Sequence, residues 1–67
     1  MRITIKEFDD KAIYQKIGGG VNTQWMAEIT IDERKFSFES SSRDNARTMA
    51  IAYLSRYNYI QLKKQSA

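Results

Sequence analysis

The chain has 67 residues and contains neither cysteine nor histidine. Without cysteine there is no disulfide and no thiol nucleophile. Without either residue a structural zinc site has none of its usual ligands. The missing histidine also removes the usual general base near neutral pH. Glycine occurs only as the run Gly18-Gly19-Gly20. That run lacks the Gly-Lys-Ser/Thr ending of a phosphate loop and does not lead from a strand into a helix, so it reads as a flexible hairpin tip. No apolar run approaches the ~20 residues of a membrane-spanning helix. Met1 to Lys6 alternates instead of forming the apolar block of a signal peptide. These absences set the expectation of a cytoplasmic, non-enzymatic protein with no catalytic residue, no cofactor, no metal and no membrane partner.

The chemistry that remains is sparse. Ser40-Ser41-Ser42 offers hydroxyls with no base in local reach and reads as a turn plus a helix cap. Asp9-Asp10 is not a calcium loop, which needs more carboxylates at set spacing. It reads as a solvated turn.

What is present is an ordinary globular balance, with 42% hydrophobic and 28% charged residues. The length suits one α+β domain over residues 1–67. A domain this small buries a modest share of its surface, so tight packing, self-association or docking on a partner must supply stability. A homodimer is compatible with the sequence. The net charge is +3 and the pI is near 9.4. That permits binding to nucleic acid or to an acidic protein face without choosing between them.

Hydrophobic periodicity predicts most of the elements. Ile3 and Ile5 alternate with Arg2, Thr4 and Lys6, which predicts a strand over Arg2 to Phe8. Phe8 breaks the parity and marks a bulge or an end. Ala12 to Ile17 fits a short helix or a strand. A strand is favoured, because a two-turn helix ahead of three glycines is marginal. Val21 to Ile31 is the clearest strand, with Trp25, Ala27, Ile29 and Ile31 on one face. After Asp32-Glu33-Arg34, Lys35 to Glu39 resumes the alternation with Phe36 and Phe38 inward, and the two runs form a hairpin. Ser41 is the expected helix cap, with Asp44 closing a near capping box. Ala46, Met49, Ala50, Tyr53, Leu54 and Tyr57 recur at helical spacing over about four turns, roughly 24 Å. Asn58 suits a left-handed C-cap. Tyr59 to Lys64 alternates as a short last strand, with a frayed helix as the alternative. The expected fold is a small antiparallel sheet with one helix packed on one face, in the order β-β-β-β-α-β.

Candidate contact residues follow from charge and amphipathic aromatics. Arg2 and Lys6 fall on the polar face of the first strand, and Arg34 and Lys35 at one hairpin end. Arg43 and Arg47 lie one turn apart at the helix start, where cations oppose the helix dipole. They serve a partner, or Arg47 pairs with Asp44 at i−3. Tyr14, Tyr57 and Tyr59 suit a half-wet surface; Trp25, Phe36 and Phe38 share the core parity. The outward sheet face, with Arg2, Thr4, Lys6, Gln24, Met26, Glu28, Thr30, Lys35 and Ser37, is left uncovered. It could accept a partner, for example by strand addition.

Two resemblances emerge from these residues. Gln24-Trp25-Met26-Ala27-Glu28-Ile29, Arg34-Lys35-Phe36 and the helix opening Ser42-Arg43-Asp44-Asn45-Ala46 look like sheet-plus-helix nucleic-acid-binding modules. The arm-type domains of phage integrases share this layout, as does the second half of double-stranded-RNA-binding domains. From Trp25 to Lys64 the chain also resembles very small phage inhibitors such as the anti-CRISPR proteins, in size and pattern. The second resemblance implies a non-enzymatic module that binds a protein and blocks a nucleic-acid-handling host complex. The first implies direct DNA or RNA binding through Arg34, Lys35, Arg43, Arg47 and nearby tyrosines.

Overall fold

A capping box at Thr4 turns the chain from strand to helix almost at once. The Glu7 N–H donates to Thr4 Oγ1 at 3.0 Å, and the Thr4 N–H donates to a Glu7 carboxylate oxygen at 2.8 Å. Two otherwise orphaned donors are thereby satisfied. In the computed structural model, which describes residues 2–61, the first strand is only β1 (Ile3–Thr4), and α1 (Ile5–Lys11) follows directly. This corrects the expected strand over Arg2 to Phe8. Phe8 has the wrong parity for a strand because it is helical, and it is fully buried. Asp9-Asp10-Lys11 is the last turn of α1, not a loop.

The remaining elements are β2 (Ile13–Ile17), β3 (Gln24–Ile31), β4 (Arg34–Ser40), α2 (Arg43–Arg56) and β5 (Ile60–Gln61). The fold is α+β, with a three-stranded antiparallel sheet in the order β2-β3-β4. The order along the chain is β-α-β-β-β-α-β, because α1 takes the place of the first long strand. Val21 lies outside β3, in a 3-10 turn over Gly20–Asn22. Gly18 and Gly20 have φ of 76° and 65°, a left-handed conformation that glycine adopts without strain.

The β3–β4 pairing follows the predicted alternation. Ala27 opposes Phe38 and Ile29 opposes Phe36, so the apolar side chains of both strands share one face. The loop between them is only Asp32-Glu33, at φ 54° and 66°. Both residues therefore adopt the left-handed conformation of a two-residue hairpin turn.

Ser42, not Ser41, caps α2, accepting from the Asn45 N–H at 3.1 Å. The cap is one residue later than expected, so Asp44 falls at the second helical position and closes no box. At the other end Asn58 has φ 68°. Its N–H donates to the Ser55 carbonyl at 3.2 Å, and the Tyr59 N–H donates to the Leu54 carbonyl at 2.7 Å. That pair of bonds is the Schellman closure.

The chain then returns to β1. Strand β5 pairs in parallel with β1, Ile3 opposite Ile60, and the Ile3 N–H donates to the Tyr59 carbonyl at 3.0 Å. This two-stranded clip stands apart from the main sheet, which corrects the single-sheet expectation. Residues 62–67, including the rest of the predicted last strand, lie outside the described residues.

The core joins Ile3, Phe8, Ile29, Ile31, Ala50, Leu54 and Ile60. Both helices contribute to it, Phe8 from α1 and Ala50 and Leu54 from α2, against Ile29 and Ile31 of β3. Phe8 and Leu54 are its largest fully buried side chains. Truncating either to alanine would cost about 2–5 kcal/mol, a large share of what so small a domain has to lose.

Candidate binding surfaces

Helix α2 presents three different sides. Ala46, Ala50 and Leu54 are buried, because small side chains at i and i+4 let the helix approach the sheet. On one flank Met49, Tyr53 and Tyr57 form a stripe that stays 46%, 45% and 55% exposed. Helical spacing groups Met49 and Tyr53 with the buried residues, whereas Tyr57 is among the tyrosines that suit a half-wet surface. The sheet is too narrow to cover them, and they overhang its β4 side. Tyr53 packs at 5.4 Å from Phe38 and 4.8 Å from Tyr57, and Phe36 packs at 5.0 Å from Tyr59. The result is one continuous aromatic band beside β4.

The opposite flank of α2 borders a groove of about 850 Å³ against the β1–β5 clip. Arg2, Arg47 and Arg56 line it together with Ile5, Ile51 and Ile60, while Thr48 and Ser55 add hydroxyls. No carboxylate is among the described lining residues. The groove thus offers cationic groups above an apolar floor.

A third cluster joins α1, β2 and the start of α2. Arg47 reaches not to Asp44 but to Asp9, with Nε donating to Oδ1 at 2.8 Å and Nη2 to Oδ2 at 3.0 Å. The hydrogen bond from Arg47 holds the Asp9 carboxyl below its usual pKa, against a smaller opposing effect of desolvation. The Arg43 guanidinium lies 4.9 Å from the centre of the Tyr14 ring, a cation–π contact. The Tyr14 hydroxyl is buried with no hydrogen-bond partner among the described residues. Desolvation and, next, the Asp9 charge push its pKa up. Cations at the N-terminus of α2 are therefore explained by tertiary contacts that offset the unfavourable dipole.

The structure thus brings together Tyr14, Arg43 and Arg47 of the predicted residues, and places Arg2 with Arg47 along the groove. Arg34 and Tyr59 also meet, Nη1 donating to the tyrosine hydroxyl at 2.9 Å. Lys35 stands apart, bridged to Glu28 at 2.8 Å. Hydrogen bonding to Glu28, and then its charge, raise the Lys35 pKa. Lys6 sits exposed on α1. Arg2, Thr4 and Lys6 do not belong to the outer face of the main sheet. That face instead carries Ile13, Gln15 and Ile17 from β2, opposite Glu28, Met26 and Gln24. Sequence reasoning did not single out Arg56 or the pairing role of Asp9. Arg47, Ile51 and Ser55 follow one another at i, i+4, a spacing that does not by itself mark a groove.

Among the described residues no group of acidic side chains could hold a metal ion, and no described helix is long and apolar enough to cross a membrane. Neither a family model, nor a curated protein, nor a solved structure matches the chain.

Proposed function

We propose that the domain is a non-enzymatic binding module whose partner is an acidic segment of another protein, seated in the groove between α2 and the β1–β5 clip. The observation that carries this reading is the combination of Arg2 and Arg56 with Ile5, Ile51 and Ile60 in one concave surface, which Arg47 also lines while bridged to Asp9. Guanidinium groups favour carboxylates through paired hydrogen bonds. The apolar floor favours a segment that also carries aliphatic side chains, such as an amphipathic helix laid into a groove. A phosphate backbone has no use for that floor. An inhibitor of a nucleic-acid-handling complex fits the same surface. With a net charge of +3 the domain cannot block such a complex by mimicking a nucleic acid, and would instead cap an acidic protein face.

Direct nucleic-acid binding is the second reading, favoured by one observation. Helix α1 precedes β2-β3-β4 and α2, so the double-stranded-RNA-binding layout is approached from its first helix and not only in its second half. Against it, Arg47 and Lys35 already hold carboxylates, and Arg43 is spread on Tyr14.

A two-arm titration followed by backbone amide NMR separates the readings. One arm uses a helical peptide of glutamate and leucine, and the other uses generic duplex DNA and RNA at low and physiological salt. Peptide-induced shifts clustered at Arg2, Ile5, Arg47, Ile51 and Arg56 support the groove. Micromolar duplex binding that collapses with salt, with no peptide response, overturns it.

A further inference from the structure

We infer that the chain forms a two-fold dimer through the free edge of β4, extending the main sheet from three strands to six. The inference is independent of the groove on the other flank of α2. Strand β4 is the last in the order β2-β3-β4, so among the described residues one of its edges has no strand beside it. The two-residue turn makes Ile31 and Arg34 a hydrogen-bonded pair. Alternation then commits Arg34, Phe36, Phe38 and Ser40 to β3 and leaves the backbone groups of Lys35, Ser37 and Glu39 facing outward. An edge of this kind is a template for another strand.

The sequence of β4, Arg34-Lys35-Phe36-Ser37-Phe38-Glu39-Ser40, is self-complementary about Ser37. In an antiparallel pair centred there, Ser37 meets the copy's Ser37, and each Lys35 meets the copy's Glu39. The outward-facing residues are those that must exchange hydrogen bonds in this register. Opposite charges oppose each other on the open face, and Phe36 meets the copy's Phe38 on the helix face. The Lys35 side chain is 68% exposed despite its bridge to Glu28, so a second carboxylate can reach it. A parallel pairing in the same register would set Lys35 against Lys35 and Glu39 against Glu39.

The helices fit the same geometry. Helix α2 packs across both β3 and β4, so its axis lies over the line between them. With strands about 4.8 Å apart, the two copies of α2 would run roughly 10 Å from each other. That is the distance at which helices pack. The flank each presents to the other is the exposed stripe of Met49, Tyr53 and Tyr57. One symmetric contact therefore satisfies the open strand edge and covers the apolar stripe.

Sedimentation velocity on the purified chain over a concentration series tests this, with Lys35→Glu and Glu39→Lys as variants. The expected species is twice the 7.8 kDa chain mass. Each single reversal sets like charges opposite one another at two symmetric places, and should weaken the dimer by roughly tenfold or more. An equimolar mixture of the two variants makes every opposed pair opposite in charge again, and should recover a heterodimer. Circular dichroism checks that each variant folds. A wild-type chain monomeric at every concentration, a dimer indifferent to both reversals, or variants that fail to associate when mixed would each overturn the inference.

Discussion

Arg47 and Asp9 join the two helices by a fork of two hydrogen bonds, 2.8 and 3.0 Å long, across thirty-eight positions of sequence. Both side chains remain partly exposed, at 40% and 44%, so solvent screens the pair and its contribution stays below about 1 kcal/mol. Arg47 also lines the groove, so the fork to Asp9 holds one of the groove's basic side chains in place.

The pair makes stability depend on acid. The folded Asp9 pKa is depressed, so its stabilisation is complete above the unfolded value of about 3.9 and disappears as pH falls through the lower folded value. Asp9→Asn should melt at lower denaturant than wild type near neutral pH, by up to about 1 kcal/mol. The difference should narrow at acid pH, below the unfolded value of about 3.9, as the wild-type carboxyl takes up its proton too. Paired urea melts at the two pH values check this; an equal difference at both would mean that the ion pair contributes nothing.

Tyr14 supplies a ring to Arg43 while burying a hydroxyl that has no partner among the described residues. A buried polar group without a partner costs about 1–3 kcal/mol, whereas the ring contact gains less. Tyr14→Phe keeps the ring and removes the hydroxyl, and should raise stability by about 1 kcal/mol. Tyr14→Leu removes both and should fall below Tyr14→Phe by about 0.5–1 kcal/mol. Thermal melts of the two variants rank them directly. A destabilised Tyr14→Phe would show that the hydroxyl has a partner, such as an ordered water.

The start of α1 rests on Thr4. Thr4→Ala removes one arm of the capping box and should cost about 1 kcal/mol. The loss should appear as faster amide exchange over Ile5–Lys11, in excess of any change at α2. Uniform acceleration across the chain would show instead that α1 opens only with the whole domain.

That same box shows where the sequence could be read and where it could not. The β3–β4 hairpin was legible because Trp25, Ala27, Ile29 and Ile31, with Phe36 and Phe38, keep strict alternation over long runs. The left-handed Asn58 was legible because few residues accept that conformation. At the N-terminus two signals competed. Ile3 and Ile5 alternate, but Thr4-Ile5-Lys6-Glu7 is a capping box and Phe8 completes a helical face with Ile5. The local hydrogen bonds prevailed over a short alternation. The candidate surfaces were less legible because they depend on α1. Tyr14, Arg43 and Arg47 converge only when Asp9 is helical, and the exposure of Met49, Tyr53 and Tyr57 depends on the width of a sheet that helical periodicity does not encode.

The β3–β4 turn stores strain that a single substitution can release. Asp32 and Glu33 sit at φ 54° and 66°, where a side chain at the second position crowds the backbone and glycine does not. Aspartate tolerates this conformation better than glutamate, because its short side chain can bond locally. Glu33→Gly should therefore stabilise the domain by about 1 kcal/mol, after the greater freedom of glycine in the unfolded chain is offset against the relieved strain. The register of β3 with β4 should stay fixed, since Ile29 opposite Phe36 and Ala27 opposite Phe38 hold it from inside. Glu33→Val should do the reverse, because a β-branched residue is least tolerant of positive φ. Chemical denaturation of both variants, with backbone NMR to confirm the register, gives the comparison. If Glu33→Gly were the less stable of the two, the turn would not hold the left-handed pair, and the assignment of outward-facing Lys35, Ser37 and Glu39 would fall with it.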